Sequence, residues 1–464
     1  KKKIVKDVNT LSATHHLQGQ AGVLQNYMAK GVWEMRSPAR GCTKLLIGLI
    51  VFFLVSFLAA AEVTIWTWYG GVMGQILSNI IKSDFTAKTG IEVKIVTVPE
   101  DDSHFQSYLL SYIGGNAPDI IEIYSHHAGE LGMRQALTDL TTFPDSDEVF
   151  GKIPAKLLDS VSFKNAIFAV PSEVNWAQMY YRKDVLADIG VEPPNTWDEL
   201  GRLSIKLLAY GRNTYYEFQG DNQAAFLYYP FVWQKGIDIY NEDGTASNLD
   251  APEAVEAFLQ FTELYTTYGL VVETPIVTTF ASAETPVAIL QNWYYSVFER
   301  TAPQVSGLWG IAEMPGTPDK DGKLNRTNTG KLLTWGISES STRKKEAWEL
   351  LKFLASEEFL VKFSEQVYNS VEKWRLVFSN ANILPQSPFP EEVKGILDSC
   401  LNDCRLKRVV PGGYVADRYV EFAFNKVVVG KEDPKKAILQ AANESTIEIQ
   451  KKIKEFSRFL DKLE

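Results

Sequence analysis

From residue 62 to residue 125 the chain switches back and forth between two hydrophobic repeats, and that alternation constrains its fold more than any other feature. In "EVTIWTWYGG" Val63 and Ile65 share one face of an extended segment, while Trp66 and Trp68 share the other. "MGQILSNIIKSDFTAKTG" then places Ile76, Ile80, Ile81 and Phe85 on one helical stripe that ends at Gly90. "IEVKIVTVP" is apolar on both faces, the pattern of a strand covered on both sides. "SHFQSYLLSYIGGN" reads as a helix stopped by Gly114-Gly115, and "PDIIEIYS" as a third strand. Strand, helix, strand, helix, strand calls for parallel pairing through right-handed crossovers, hence an open α/β sheet. Ligands of such sheets sit beyond the carboxyl ends of the strands. Trp66, Tyr69 and residues 125–130 occupy those ends.

A chain of 464 residues has room for two such units, each with its own core. Its net charge of −10 lacks the basic footprint that nucleic acid requires. Three cysteines make no disulfide framework; Cys400 and Cys404 are four apart, and bridging them would strain a helix. His15-His16 and His126-His127 have no partner cysteines at zinc spacing, so no metal is expected, and no cofactor motif appears. Leu45 to Ala61 is an uncharged run of about 17 residues, at the short edge of what spans a bilayer. Met35, Arg36, Arg40 and Lys44 precede it, and Ala59-Ala60-Ala61 closes it in an A-x-A pattern. That is the layout of a signal peptide over 35–61, the alternative being a retained anchor. Residues 1–34 are then an extension upstream of the mature protein, which is expected to be exported to the periplasm or cell surface and to start at Glu62.

Further along, Pro193-Pro194 excludes helix, and Thr196 caps one carrying Trp197, Leu200, Leu203 and Leu207. "TPVAILQNWYYSVFER" is a strand entering a helix through Asn292-Trp293, and "STRKKEAWELLKFLASEEFLVKFSEQ" is two helices broken near Ser356. The tail from Asp433 is helical and charged, read as a solvated outer face.

Four stretches carry a resemblance. "GNAPDIIEIYSHHAGELGMRQALTDLT", "AVPSEVNWAQMYYRKDVLADIGVEPPNTWDEL", "AILQNWYYSV" and "LLTWGISESSTRKKEAWELLKFLASEE" occur in the order and spacing of the extracellular solute-binding proteins, family 1, the maltose- and oligosaccharide-binding group of ABC importers. The chain resembles that family over nearly all of 62–464, departing at Asn292, where the family usually has glycine. The resemblance implies a two-lobe periplasmic-binding-protein fold, each lobe an open α/β sheet, with ligand held between lobes that close about a hinge. It implies crossings near residues 168–173, 273–283 and 330–335. The first lobe would comprise 62–170 and a return at 279–330; the second would comprise 171–278 and 331–464, including the C-terminal helices. It further implies a monomer working with membrane permease subunits, and no catalysis.

A sugar presents a flat C–H face and a rim of hydroxyls, so its site needs aromatic plates with fixed donors and acceptors around them. Trp66, Trp293 and Trp335 match positions where the family carries ligand-facing aromatics; core packing is the competing role for each. Trp68, Tyr69, Trp176, Trp233, Tyr294 and Tyr414 are further candidates at strand ends, crossings or glycine-rich turns. For the polar rim the candidates are Glu173, Asn175, Asp221, Asn222 and His126. Trp197, Trp348 and Trp374 fall on helical stripes and read as core. Two rivals stay open: a polyamine or other small-solute binder of the same fold, through cation–π contacts and carboxylates, and a secreted glycan-active enzyme. No paired carboxylates stand in a motif to support the second.

Overall fold

The computed structural model describes residues 62–99, 103–217 and 223–460, so the expected signal segment lies outside the described residues. One nine-stranded sheet organises them. Its strands are β1 (Glu62–Thr67), β2 (Glu92–Thr97), β3 (Ile120–Tyr124), β4 (Val170–Arg182), β5 (Thr214–Tyr216), β6 (Val287–Gln291), β7 (Trp309–Ala312), β8 (Asn328–Ile337) and β9 (Cys404–Arg405). The order is β2-β1-β3-β8-β4-β6-β5, with β7 beside β4 and β9 beside β8.

The first three strands pair in parallel, as the alternating repeats require. Helices α1 (Gly71–Ile80) and α2 (Ser103–Ile113) connect them, and α3 (Ser125–Met133) leaves β3 at its carboxyl end. Val63 and Ile65 point into the core and are fully buried. The second lobe is built on β5, β6 and the latter half of β4, wrapped by α4 (Trp197–Ala209), α5 (Gln223–Gln234) and α6 (Pro252–Thr266). At α4 the Thr196 hydroxyl accepts from the Glu199 N–H while the Glu199 carboxylate accepts from the Thr196 N–H. Such a reciprocal cap contributes about 1 kcal/mol and fixes where the helix starts.

β4 and β8 bind the lobes together. They pair antiparallel with each other, from Gly330↔Trp176 to Trp335↔Val170, with a bulge between Leu332 and Thr334. β8 also pairs with β3, and β4 with β6, so the sheet is continuous from one lobe into the other. The chain's return differs from the expectation. Residues 279–330 do not rejoin the first lobe's strands: β6 and β7 pair with β4, and α7 (Tyr294–Thr301) follows β6. The return is made by β8 along β3, then by α8 (Lys344–Leu354) and α9 (Glu357–Asn369), which packs on α1. Ser356 caps α9 by accepting from the Phe359 N–H, so the break between these helices falls where the sequence puts it. Residues 273–283, expected as a crossing, instead contain the short helix Ile276–Ala281, whose Phe280 stacks on Phe298 of α7.

A third connection follows α10 (Glu391–Asp403). β9 lies against the start of β8, and residues 406–412 then lead to α11 (Gly413–Val428). The strands touch because residue 330 is glycine: a Cβ there would stand 2.5 Å from the Cys404 Sγ. Cys400 and Cys404 are both free and buried. Burial pushes the Cys404 thiol up to about 12, which keeps it un-ionised and unreactive at neutral pH. Finally α12 (Pro434–Leu460) is more than a solvated face: Ala437, Ile438, Ala441, Ala442 and Ile449 bury one side of it in the second-lobe core. Among the described residues no helix is long and apolar enough to cross a membrane.

Candidate functional site

The strand register locates the site. In the first lobe β1 and β3 end at Thr67 and Tyr124; in the second, β5 and β6 end at Tyr216 and Gln291. Tyr124 faces Leu333 of β8, Gln291 faces Ala177 of β4, and Asn175 of β4 faces Lys331 of β8. The carboxyl ends of both lobes' strands therefore converge on one line, where β4 and β8 cross from lobe to lobe near Asn175 and Lys331. An open α/β sheet takes its ligand at such ends; here two sets of ends meet on one line.

On the first lobe, Glu122 sets the wall. Its carboxylate is fully buried and accepts from the Thr67 hydroxyl (2.6 Å) and the Trp68 N–H (2.9 Å). This pins the backbone just past β1 and presents Trp68, whose ring lies 4.6 Å from that of Tyr124. His104 of α2 supports both tryptophans from below, 5.9 Å from Trp66 and 6.0 Å from Trp68.

His126 bridges to the second lobe. Its ring stacks on Tyr124 at 5.4 Å and on Tyr414 of α11 at 5.1 Å, both nearly parallel. Gly413 allows Tyr414 this place, since a Cβ on Gly413 would meet the Tyr240 hydroxyl at 2.6 Å. Burial, His127 and the Lys407 and Lys331 charges hold His126 well below the usual histidine range. Burial pushes His127 down to about 3, helped by His104 and Lys407. Both rings are neutral at physiological pH; half-buried His126 carries its ring nitrogens without charge, while His127 is buried and stacks on Phe105. The Lys331 ammonium sits among aromatic faces of both lobes, 5.9 Å from the Tyr124 ring and 5.6 Å from that of Phe226 in α5.

The turn after β6 carries Asn292 and Trp293. Asn292 is tied to β4 by its N–H to the Trp176 carbonyl (2.9 Å) and its side-chain amide to the Val174 carbonyl (3.2 Å). Trp293 then stacks on Tyr294 at 4.0 Å and on Trp374 at 6.3 Å. Behind this turn lies the buried Glu217, at the end of β5. It accepts from the Gln291 N–H (3.0 Å) and from the Tyr294 side chain.

Other expected residues fall elsewhere. Trp66 lies within β1, opposite Val96 and Ile121, and packs half-buried against the helix-covered face; Trp68, not Trp66, stands at the strand end. Trp176 is fully buried, its indole N–H on the Gln178 side chain at 2.9 Å, so it is a core residue of β4 rather than a cleft plate. Trp335 is also in the core, 4% exposed, and Tyr69 packs beside it with its hydroxyl donating to Glu173. Trp233 is buried beneath the Arg405 guanidinium. Asn175 is half-buried on the crossing line. Asp221 and Asn222 lie outside the described residues. Tyr124, Lys331 and Phe226, which the sequence analysis did not name, lie at the crossing line, and Trp374, read as core, is half-buried against Trp293. Of these only Tyr124 carried a signal, as the last residue of a strand that precedes a helix. A cavity of about 560 Å³ also opens beside the 406–412 connection, between residues 162–164 of the first lobe and 243–245 of the second.

The chain belongs to the bacterial extracellular solute-binding proteins, whose family pattern it matches over residues 70–359. A putative binding protein of Brucella abortus is 24% identical over 422 residues, covering 86% of this chain and 96% of that one. A probable ABC transporter-binding protein of Deinococcus radiodurans is 27% identical over 330 residues, 67% of this chain and 76% of its own. Among solved structures, the sugar-binding protein of Xanthomonas citri superposes with a TM-score of 0.72 at 16% identity, over 86% of this chain and 99% of that one. The fold is the two-lobe one of these binding proteins.

Proposed function

We propose that this protein captures a sugar or oligosaccharide between its lobes and hands it to the membrane permease of an ABC importer. The observation that carries the reading is the aromatic lining from both lobes at one line. Trp68, Tyr124 and His126 of the first lobe pack ring to ring with Tyr414 of the second, the His126 ring is neutral, and Trp293 at the end of β6 supplies a further plate. Flat apolar plates and uncharged polar atoms match the two faces of a sugar ring. The similarity to an ABC transporter-binding protein of Deinococcus and a sugar-binding protein of Xanthomonas supports the same reading.

Against a polyamine, the Lys331 ammonium already lies on the aromatic faces of Tyr124 and Phe226 at which a cation would bind. Against a glycosidase, both carboxylates are buried, Glu173 at 8% and Glu217 at 3% exposed, which keeps them from a bond held at the surface of the cleft. A thermal-shift titration tests this. Maltotetraose and related oligosaccharides should raise the melting temperature, spermidine should not, and chromatography should recover the sugar unchanged. A shift with spermidine alone, or multiple-turnover cleavage, overturns the reading.

We further place the working protein outside the cytoplasmic membrane, as a monomer released from residues 35–61. The intact mass of exported material should correspond to a chain starting at Glu62. A mass that retains the 45–61 run identifies an anchored protein instead.

A further inference from the structure

The buried Glu217 has no role in the reading above, yet it ties the end of β5 to the turn that carries Trp293. Its backbone closes β5, with its N–H on the Ile289 carbonyl at 2.9 Å, and the next five residues hold the candidates Asp221 and Asn222. Its carboxylate reaches the neighbouring strand end, accepting from the Gln291 N–H and the Tyr294 side chain. Tyr294 in turn is the base on which Trp293 stacks. A side chain that is 3% exposed touches no ligand itself, so whatever it does it does through these neighbours.

We propose that Glu217 is a positioning residue whose carboxylate clamps the Trp293–Tyr294 turn to the end of β5, so that the grip on ligand follows the protonation of this one group. The inference rests on the reading of Trp293 as a cleft plate. An ionised carboxylate has lone pairs for all its donors, the Gln291 N–H and the Tyr294 and Gln291 side chains; once protonated, one oxygen must itself donate, and one of these bonds weakens. Burial pushes this carboxyl up to about 7, against the opposing pull of the Gln291 N–H, the Lys331 charge and the Tyr294 side chain. The proton is therefore held below neutral pH and released above it. The charged and titratable groups facing it are Lys331 on β8, Tyr294 on α7, Tyr216 on its own strand and Tyr180 on β4. Burial raises the phenols of Tyr180 and Tyr216 above their ordinary range, which leaves Glu217 as the member of this group that changes charge near neutrality.

Two measurements test the inference. In the ligand-free protein, tryptophan fluorescence followed from about pH 5.5 to pH 8.5 should show a step near pH 7. The step should vanish in Glu217→Gln and move upward in Tyr294→Phe, which removes one donor to the ionised form and keeps the carboxylate. If Glu217→Gln does not fold, the shift in Tyr294→Phe decides. No step in the parent, or the same step in both variants, overturns the proposal. Maltotetraose affinity is then compared at pH 8 and pH 5.5. It should fall about threefold to tenfold in acid for the parent, the worth of roughly one hydrogen bond, and stay level in Glu217→Gln. Equal pH ratios in both proteins overturn the role of Glu217 and leave the sugar reading standing. Absence of maltotetraose binding at both pH values counts against the sugar reading, and the fluorescence titration still decides on Glu217.

Discussion

Replacing Trp293 by alanine should leave the melting temperature of the ligand-free protein nearly unchanged and erase most of the shift that ligand produces, while Trp197→Ala should do the reverse. The contrast follows from what each indole touches. Trp197 is 1% exposed, stacked on Phe231 at 4.1 Å, with its N–H on the Gln234 side chain at 2.8 Å. Truncating it opens a cavity and removes one of the two donors to the buried Gln234 amide oxygen, a loss of about 3–5 kcal/mol in stability. Trp293 is half-buried on a turn, and its contacts with Tyr294 and Trp374 are stacking contacts at the edge of the core. Their loss costs about 1 kcal/mol. A plate removed from a sugar site costs on the order of 1.4–2.8 kcal/mol of binding, roughly tenfold to a hundredfold in affinity. Urea melts and calorimetric titration on the two variants separate these effects. A Trp293→Ala protein that unfolds, or that binds as the parent does, refutes the assignment of Trp293 to the cleft.

A second large effect is expected from one added methyl group. A Cβ on Gly132 would stand 2.2 Å from two ring carbons of Phe168, which is itself 2% exposed and has no free space to retreat into. Gly132→Ala should therefore destabilise the protein by about 1–3 kcal/mol, near the upper end. The strain also bears on α3, which carries His126, so ligand affinity should fall with stability. Pairing the change with Phe168→Leu gives the check. If the clash is the cause, Gly132→Ala costs markedly less in the Phe168→Leu background than alone. Additive losses would mean that the helix yields elsewhere and the contact is not the cause.

How much of this was legible in the sequence depended on whether a residue's role is set locally. The stripe of Ile76, Ile80, Ile81 and Phe85, the cap at Thr196 and the break at Ser356 each depend on neighbours a few residues away, and the structure has them where the repeats put them. Trp66 and Trp68 show the limit. Periodicity assigns both to one face, but which of them stands at the strand end is decided by Glu122, more than fifty residues on, gripping the Trp68 N–H. β4 was opaque for another reason. It is buried on both faces through most of its 13 residues, so the alternation that would mark Trp176 as core and Asn175 as accessible is absent from its composition. Lys331 and Phe226 belong to segments about a hundred residues apart, and no spacing rule joins them. The chain's path back to the first lobe was hidden likewise, because strand neighbours in a sheet leave no mark on the sequence between them.

The continuous sheet has a consequence for how the polypeptide comes to be folded. Tyr124 pairs with Leu333, and Val170 with Trp335, so the ladder joining the lobes closes only after some two hundred intervening residues exist. The second-lobe core waits longer still, for Ala416 to Ile449. Pairings this remote in sequence pay their loop-closure entropy before they return any stability, which makes folding slow. A chain emerging from the ribosome N-terminus first thus lacks, until its last helices are made, the partners that would lock either lobe. Delayed collapse of that kind keeps the chain unlocked for most of its synthesis, with unpaired strand edges exposed meanwhile.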